Sequence, residues 1–138
     1  MGRIIAIDYG KKRTGLAVSD PLKIIAGGLA TLSSHEVISY LKNYAEKQEI
    51  ELFILGEPRQ MNYLPSENMK RVEKFKEKLQ KAIPSVEIKW VDERFTSVLA
   101  HKAMIQGGLK KIQRQNKELV DELSATILLQ TYLETIRK

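Results

Sequence analysis

The chain contains no cysteine. Disulfides and thiolate metal sites are therefore excluded, and any metal must rely on oxygen ligands or on His35 and His101. It also lacks an apolar run approaching the length of a membrane span. Its N-terminus enters a strand almost at once, with no charged-then-apolar leader, so neither membrane insertion nor secretion is expected and a cytoplasmic protein is. No internal repeat or linker interrupts the sequence. Its 138 residues suit a single domain, 1–138, able to bury roughly two thirds of its unfolded surface. Negative charge is in deficit: Lys and Arg number 23 against 17 Asp and Glu, a formal net charge of +6. That balance favours an anionic partner, nucleic acid ahead of acidic lipid.

Against these absences stands IIAIDYGKKRTGLAVSD, Ile4 to Asp20. Ile4, Ala6 and their neighbours form a continuous apolar run, as expected of a central strand buried on both faces, and the run stops at Asp8. A carboxylate is thus delivered to the rim of a sheet. Gly10 permits a close approach that a side chain would obstruct, and Gly15 opens a returning strand, Leu16 to Val18. Between them stand Lys11, Lys12 and Arg13. An acid beside three cations suits a site that holds a metal ion and a phosphate together. Strand, Asp, Gly and Lys also describe an ordinary hairpin turn, so the chemical reading depends on other carboxylates converging on Asp8.

Further along, Ile24 to Leu32 reads as a third strand interrupted by Gly27 and Gly28, completing an antiparallel meander. Ser33 and Glu36 form a capping-box pattern ahead of a helix from Ser34 to Lys47. Leu52 to Leu55 is a second doubly apolar strand. Pro65 and Ser66 begin a helix whose stripe is Val72, Phe75, Leu79 and Ile83 and whose other face is charged and solvated; Pro84 ends it. Val86, Ile88 and Trp90 alternate into a last strand that terminates in Asp92 and Glu93, with Arg94 beside them. A short helix from Ser97 to Ile105 follows. Leu109 to Lys117 reads as a basic loop carrying Lys110, Lys111 and Arg114. From Asn116 the final helix turns Leu119, Val120, Leu123, Ile127 and Leu128 inward. Helices between the later strands require parallel crossovers, which makes the fold α/β with a mixed five-stranded sheet flanked by helices.

Parallel neighbours would bring Asp8 and the Asp92–Glu93 pair to one sheet edge, where open sheets bind ligands. Asp121 shares a helix face with Ser124, Ala125 and Leu128 and needs a partner there; interaction with the helix dipole is the alternative. Three converging carboxylates suit one or two hard divalent ions, Mg2+ or Mn2+, that activate water and orient a scissile phosphate. The cations of the first turn and of the basic loop would neutralise the flanking phosphates.

Four segments in this order and spacing, DYGKKRTGLAVSD, LGEP, VDERFTS and ELVDELSATILLQTYL, resemble the YqgF family, also called RuvX-like, over essentially the whole chain. The resemblance implies an RNase H-like fold related to RuvC-type Holliday junction resolvases, with a divalent-metal nuclease site. It implies maturation of the 5′ end of pre-16S rRNA or resolution of branched DNA. Carried over by motif, Asp8 is the acid of the first strand, Glu93 the second, with Asp92 its alternative, and Asp121 the acid of the final helix. Lys12, Arg13 and Arg94 fit phosphate-facing roles, and Thr96 fits a cap. The chain departs from the family pattern after Gly56, where Glu57 replaces a usually apolar residue and the loop from Arg59 to Leu64 lacks the usual glycine. RuvC-type relatives carry an acid near this strand end, so Glu57 rivals Glu93, although a solvated rim residue is the preferred reading.

Three functional classes follow. The first is a metal-dependent endonuclease on structured nucleic acid, with the rRNA precursor favoured over four-way DNA junctions; a homodimer would suit a junction, a monomer an RNA end. The second is a non-catalytic nucleic-acid-binding module linked to transcription, against which the retained acids argue. The third, a phosphate site of the actin and sugar-kinase type, is disfavoured because the chain is short for the paired domains that clamp a nucleotide. Tyr9, Tyr63 and Phe95 are read as packing ahead of base stacking. A basic groove predicts that log affinity for nucleic acid falls with log salt by about 0.7 to 0.9 per phosphate contact. Filter binding across a salt series measures this, and a flat dependence contradicts it.

Overall fold

The structure is a computed structural model and describes residues 2–10, 12–57, 68–92 and 117–136, with side chains for all of these except 57, 68, 92, 117–123 and 135. Strands β1 (Arg3–Tyr9), β2 (Arg13–Ser19) and β3 (Ala26–Ser33) come first, then a single 3-10 turn, Ser34–Glu36, leading into α1 (Val37–Lys47). They are followed by β4 (Ile50–Glu57), α2 (Asn68–Ala82), β5 (Glu87–Asp92) and α3 (Lys117–Ile136). The sheet order is β3-β2-β1-β4-β5. Pairs β1–β2 and β2–β3 are antiparallel, while β1–β4 and β4–β5 are parallel. The expected mixed five-stranded sheet is present, and its middle strand is the apolar run that ends in Asp8.

Both faces of that run are covered. Ile5, Ile7, Leu16, Phe53 and Leu55 pack under α1 and α2 with Val37, Leu41, Val72, Phe75 and Leu79. Ile4, Ala6, Ala17, Leu52 and Ile54 pack under α3 with Ala125, Leu128, Leu129 and Leu133. The stripe predicted on α2 is the observed one. On α3 the inward face differs from the expected one: Leu128 is buried, Ile127 is only half-buried, and Leu129 and Leu133 carry the contact instead. Spacings of three and four from Ala125 explain this, because Ile127 falls off the resulting stripe. The alanines at 6, 17 and 125 let the helix axis approach the strands closely.

Two irregularities have local causes. Leu16 pairs with Ala30 and Ala17 with Gly28, so Leu29 is an extra residue in β3, a bulge beside the glycine pair. Where β1 shifts register against β4 between Arg3 and Ile4, the Ile4 amide donates to the buried Ser19 hydroxyl at 2.9 Å. That bond accounts for a polar residue inside the core. The expected capping box does not form: Ser33 is extended at the N-cap of the 3-10 turn and its side chain makes no cap bond. The predicted helix start at Pro65–Ser66, the helix Ser97–Ile105 and the basic loop lie outside the described residues. No helix among the described residues is long and apolar enough to cross a membrane.

The β2–β3 turn is organised by Asp20, whose Oδ1 accepts the amides of Ile24 at 2.7 Å and Ile25 at 2.9 Å. Lys23 takes φ 60 within this turn and pairs with Glu51 at the start of β4. The Ile25 amide, foremost, and the other turn amides hold the Asp20 carboxyl below its ordinary value. A carboxyl depressed in the folded state contributes above the unfolded value of about 3.9 and loses its contribution as pH falls through the lower folded value. The protection of the Ile24 and Ile25 amides, taken relative to their intrinsic exchange at each pH, should therefore hold down to about pH 4 and fall below the folded value. Asp20→Ala should lose that protection throughout, and full protection in that variant would contradict the role of the carboxylate.

Candidate active site

Because β1, β4 and β5 are parallel, their C-terminal ends share one edge of the sheet. Ile7 pairs with Leu55 and Leu55 with Trp90, and the last rung of the β4–β5 ladder joins Glu57 to Asp92. The apolar runs end here because the strands leave their helical cover. Side chains alternate along β1: Ile4 and Ala6 belong to the α3 layer, Ile5, Ile7 and Tyr9 to the α1–α2 layer. Asp8 continues the Ile4–Ala6 series toward α3 and is half-buried. Its cross-strand partner is Gly15, one step beyond the Ala6–Ala17 pair. Directly opposite residues of antiparallel strands share a face, so the residue paired with Asp8 adds no side chain of its own on that face.

The turn after Asp8 is held from beneath. Gly10 comes so near the returning strand that a Cβ there would lie 2.5 Å from the Arg13 carbonyl oxygen. The Ser34 amide donates to the Lys12 carbonyl at 3.0 Å, and the Ser34 hydroxyl donates to the Gly10 carbonyl at 2.5 Å. With that proton committed, the Thr14 hydroxyl is the donor in the 2.8 Å contact between the two side chains. Thr14 is fully buried and Ser34 nearly so. The sequence reading does not single out these two residues. The available signal was a hydroxyl at the head of the apolar β2 run, matched by one just past β3. Lys12 is exposed and Arg13 half-buried, so the clamped turn presents cations beside Asp8.

The remaining candidates are distributed unevenly. Asp121 stands within α3, one turn before the buried Ala125. At the far end of the sheet the Ala26 amide donates to Gln130 Oε1 at 3.3 Å, anchoring the later part of α3 there. Ala26 pairs with Ser19, and Gly15, the partner of Asp8, is about 13 Å back along β2 at strand rise. Asp121 precedes Gln130 by a helix rise of about 13 Å as well. Asp92 and Glu57 are described as backbone at the shared edge. Glu93, Arg94, Lys11, Lys110, Lys111 and Arg114 lie outside the described residues, and among the described residues no three His, Asp or Glu side chains gather into a metal cluster. Asp8 itself offers carboxylate oxygens, the donors hard divalent ions prefer.

A family model described as "RuvX: Holliday junction resolvase" matches residues 2–135. A protein of Azobacteroides pseudotrichonymphae is 66% identical over 138 residues, covering 100% of both chains, and one of Bacteroides fragilis is 57% identical over 137 residues, covering 99% of each. Both carry the name "Putative pre-16S rRNA nuclease". Among solved structures, Thermus thermophilus RuvC in complex with a Holliday junction substrate aligns with TM-score 0.59 and 18% identity, covering 98% of this chain and 96% of that one. A second structure of that RuvC aligns with TM-score 0.55 and 14% identity, covering 96% and 97%. The expected RNase H-like fold is therefore the observed one.

The tight Gly10 turn yields a direct test. Gly10→Ala puts a methyl against a backbone oxygen that cannot swing aside, and should cost about 1 to 3 kcal/mol, as overpacking does. Urea denaturation measures the loss, and an unchanged midpoint would show that the turn is not closed this tightly.

Proposed function

The chain belongs to the RuvX, or YqgF, family, and from that membership we propose that it is a metal-dependent endonuclease that matures the 5′ end of pre-16S rRNA in the cytoplasm. The observation that carries the reading is the position of Asp8: at the open edge of the sheet, on the α3 side, next to a glycine and beside a clamped cationic turn. The names of the relatives favour the ribosomal precursor over a four-way junction.

Asp8, Glu93 and Asp121 would hold the divalent ion, Mg2+ or Mn2+. Glu93 is preferred to Glu57 because it belongs to the VDERFTS segment by which the chain resembles the family, whereas Glu57 departs from the family pattern. The matching helix and strand distances from the Gln130 anchor support position 121 of α3 lying at the level of Asp8 along the sheet. When bound, the ion supplies an activated water and charge neutralisation at the scissile phosphate. The protein's own groups position the polymer: Lys12 and Arg13 take phosphates at the turn, with Lys11, Arg94, Lys110, Lys111 and Arg114 as further contacts.

Wild type and Asp8→Asn are compared on labelled pre-16S rRNA and on a four-way DNA junction, each with Mg2+, Mn2+ or chelator. Metal-dependent cleavage of the RNA is expected, reduced at least about 100-fold in the variant, since even outer-shell partners reach that effect. The melting temperature should hold or rise, because removing one of several clustered like charges relieves repulsion. Glu93→Gln should lose cleavage and Glu57→Gln keep it; the reverse would reassign the second acid. Equal cleavage by wild type and Asp8→Asn would sink the proposal.

A further inference from the structure

The opposite face of the same sheet edge carries a cleft that the proposed chemistry does not use. It has a volume of about 370 Å3 and lies between the Ser34 turn with α1 on one side and α2 on the other. Its floor is Tyr9, Ile38 and Phe75, the two aromatic rings stacked with centroids 4.4 Å apart. Its walls are His35, Arg71, Lys74 and Lys78, all exposed. No carboxylate lines it among the described residues, and no ion pair joins Arg71, Lys74 or Lys78 to a described acid.

Charge in this region is far from average. Helix α2 carries six cations and two acids, which is most of the net excess of the whole chain. Lys76 is engaged elsewhere, 5.6 Å over the Trp90 ring. Arg71, Lys74 and Lys78, at spacings of three and four, share one face of the helix and span about 10 Å of its axis. A phosphodiester strand repeats about every 3.4 Å along a duplex axis, so this row spans about three phosphate repeats. The cleft also adjoins the candidate site. Tyr9 follows Asp8 directly, yet its ring packs in the α1–α2 layer, so the cleft opens one residue away on the other face of β1.

We propose that the α1–α2 cleft is a second nucleic-acid contact, in which Arg71, Lys74 and Lys78 grip backbone phosphates of a strand that continues around the sheet edge from the Asp8 site. The identity of the polymer rests on the nuclease reading; the existence of the contact does not. A polymer is the fitting ligand because it alone reaches both faces of β1.

The test measures binding without cleavage. Fluorescence anisotropy of a labelled RNA hairpin bearing the pre-16S 5′ flank is followed in chelator across a salt series. It compares wild type, the triple variant Arg71→Ala, Lys74→Ala, Lys78→Ala, and a control of equal charge loss, Lys42→Ala, Lys47→Ala, Lys81→Ala, with circular dichroism confirming the fold of each. The control positions are exposed and outside the cleft. The cleft triple should bind at least about tenfold more weakly, with a salt slope reduced by about 2 to 3, while the control stays near wild type. Wild-type binding by the cleft triple, or equal losses in both triples, overturns the proposal. Displacement of the hairpin from wild type by millimolar mononucleotide would make the cleft a small-molecule site and overturn it too. Absence of cleavage by wild type in the separate nuclease assay would remove the nuclease reading and leave this result standing.

Discussion

One serine proton holds the business end of this fold together. Ser34 stands where β3 gives way to helix, and its hydroxyl donates to Gly10 while accepting from Thr14, with its amide on Lys12. The turn after β1 is thereby fastened to the start of α1 across the buried side of the sheet. Buried polar groups of this kind are costly unless every member is paired, and paired they specify one geometry. Without the clamp, the Gly10–Arg13 turn would be a cationic loop of no fixed position. With it, Lys12 and Arg13 are presented at a set distance from the carboxylate that ends β1.

The two faces of the sheet solve different problems. Under α1 and α2 the strands present large residues, Ile5, Ile7, Phe53 and Leu55, and the layer is a conventional core. Under α3 they present Ala6 and Ala17, answered by Ala125 on the helix, and the approach is close. Beyond the alanines the same row runs on through Gly15 and Asp8. Along β2 the row shrinks from Ala17 to Gly15 toward the edge, opposite Ala6 and Asp8 of β1.

Much of this was legible in the residues. Continuous apolar runs announced the central strands, helical spacing announced α2, and the order of elements forced parallel crossovers and so one shared edge for the acids. What could not be read was long-range or a matter of phase. Ser33 looked like the cap, but the hydroxyl that matters belongs to its neighbour, because its partners are remote in sequence. The inward stripe of α3 was misphased at Ile127, since its apolar residues are spread round the helix and offer little to set its rotation. The charged face of α2 read as solvated, and only the cleft beside it shows that three of its cations share a concave wall.

The order of the elements along the chain also bears on timing. Asp8 is made before the other strands of the sheet, whereas α3, which packs on the Ile4–Ala6 face of β1, is made after every one of them. Local contacts complete the meander early, but the layer between sheet and α3 joins the two ends of the chain and closes last. A chain made only as far as β5 thus leaves the Ile4–Ala6 face of β1 uncovered. The topology itself leaves one side of the shared sheet edge open to solvent until the final helix has docked.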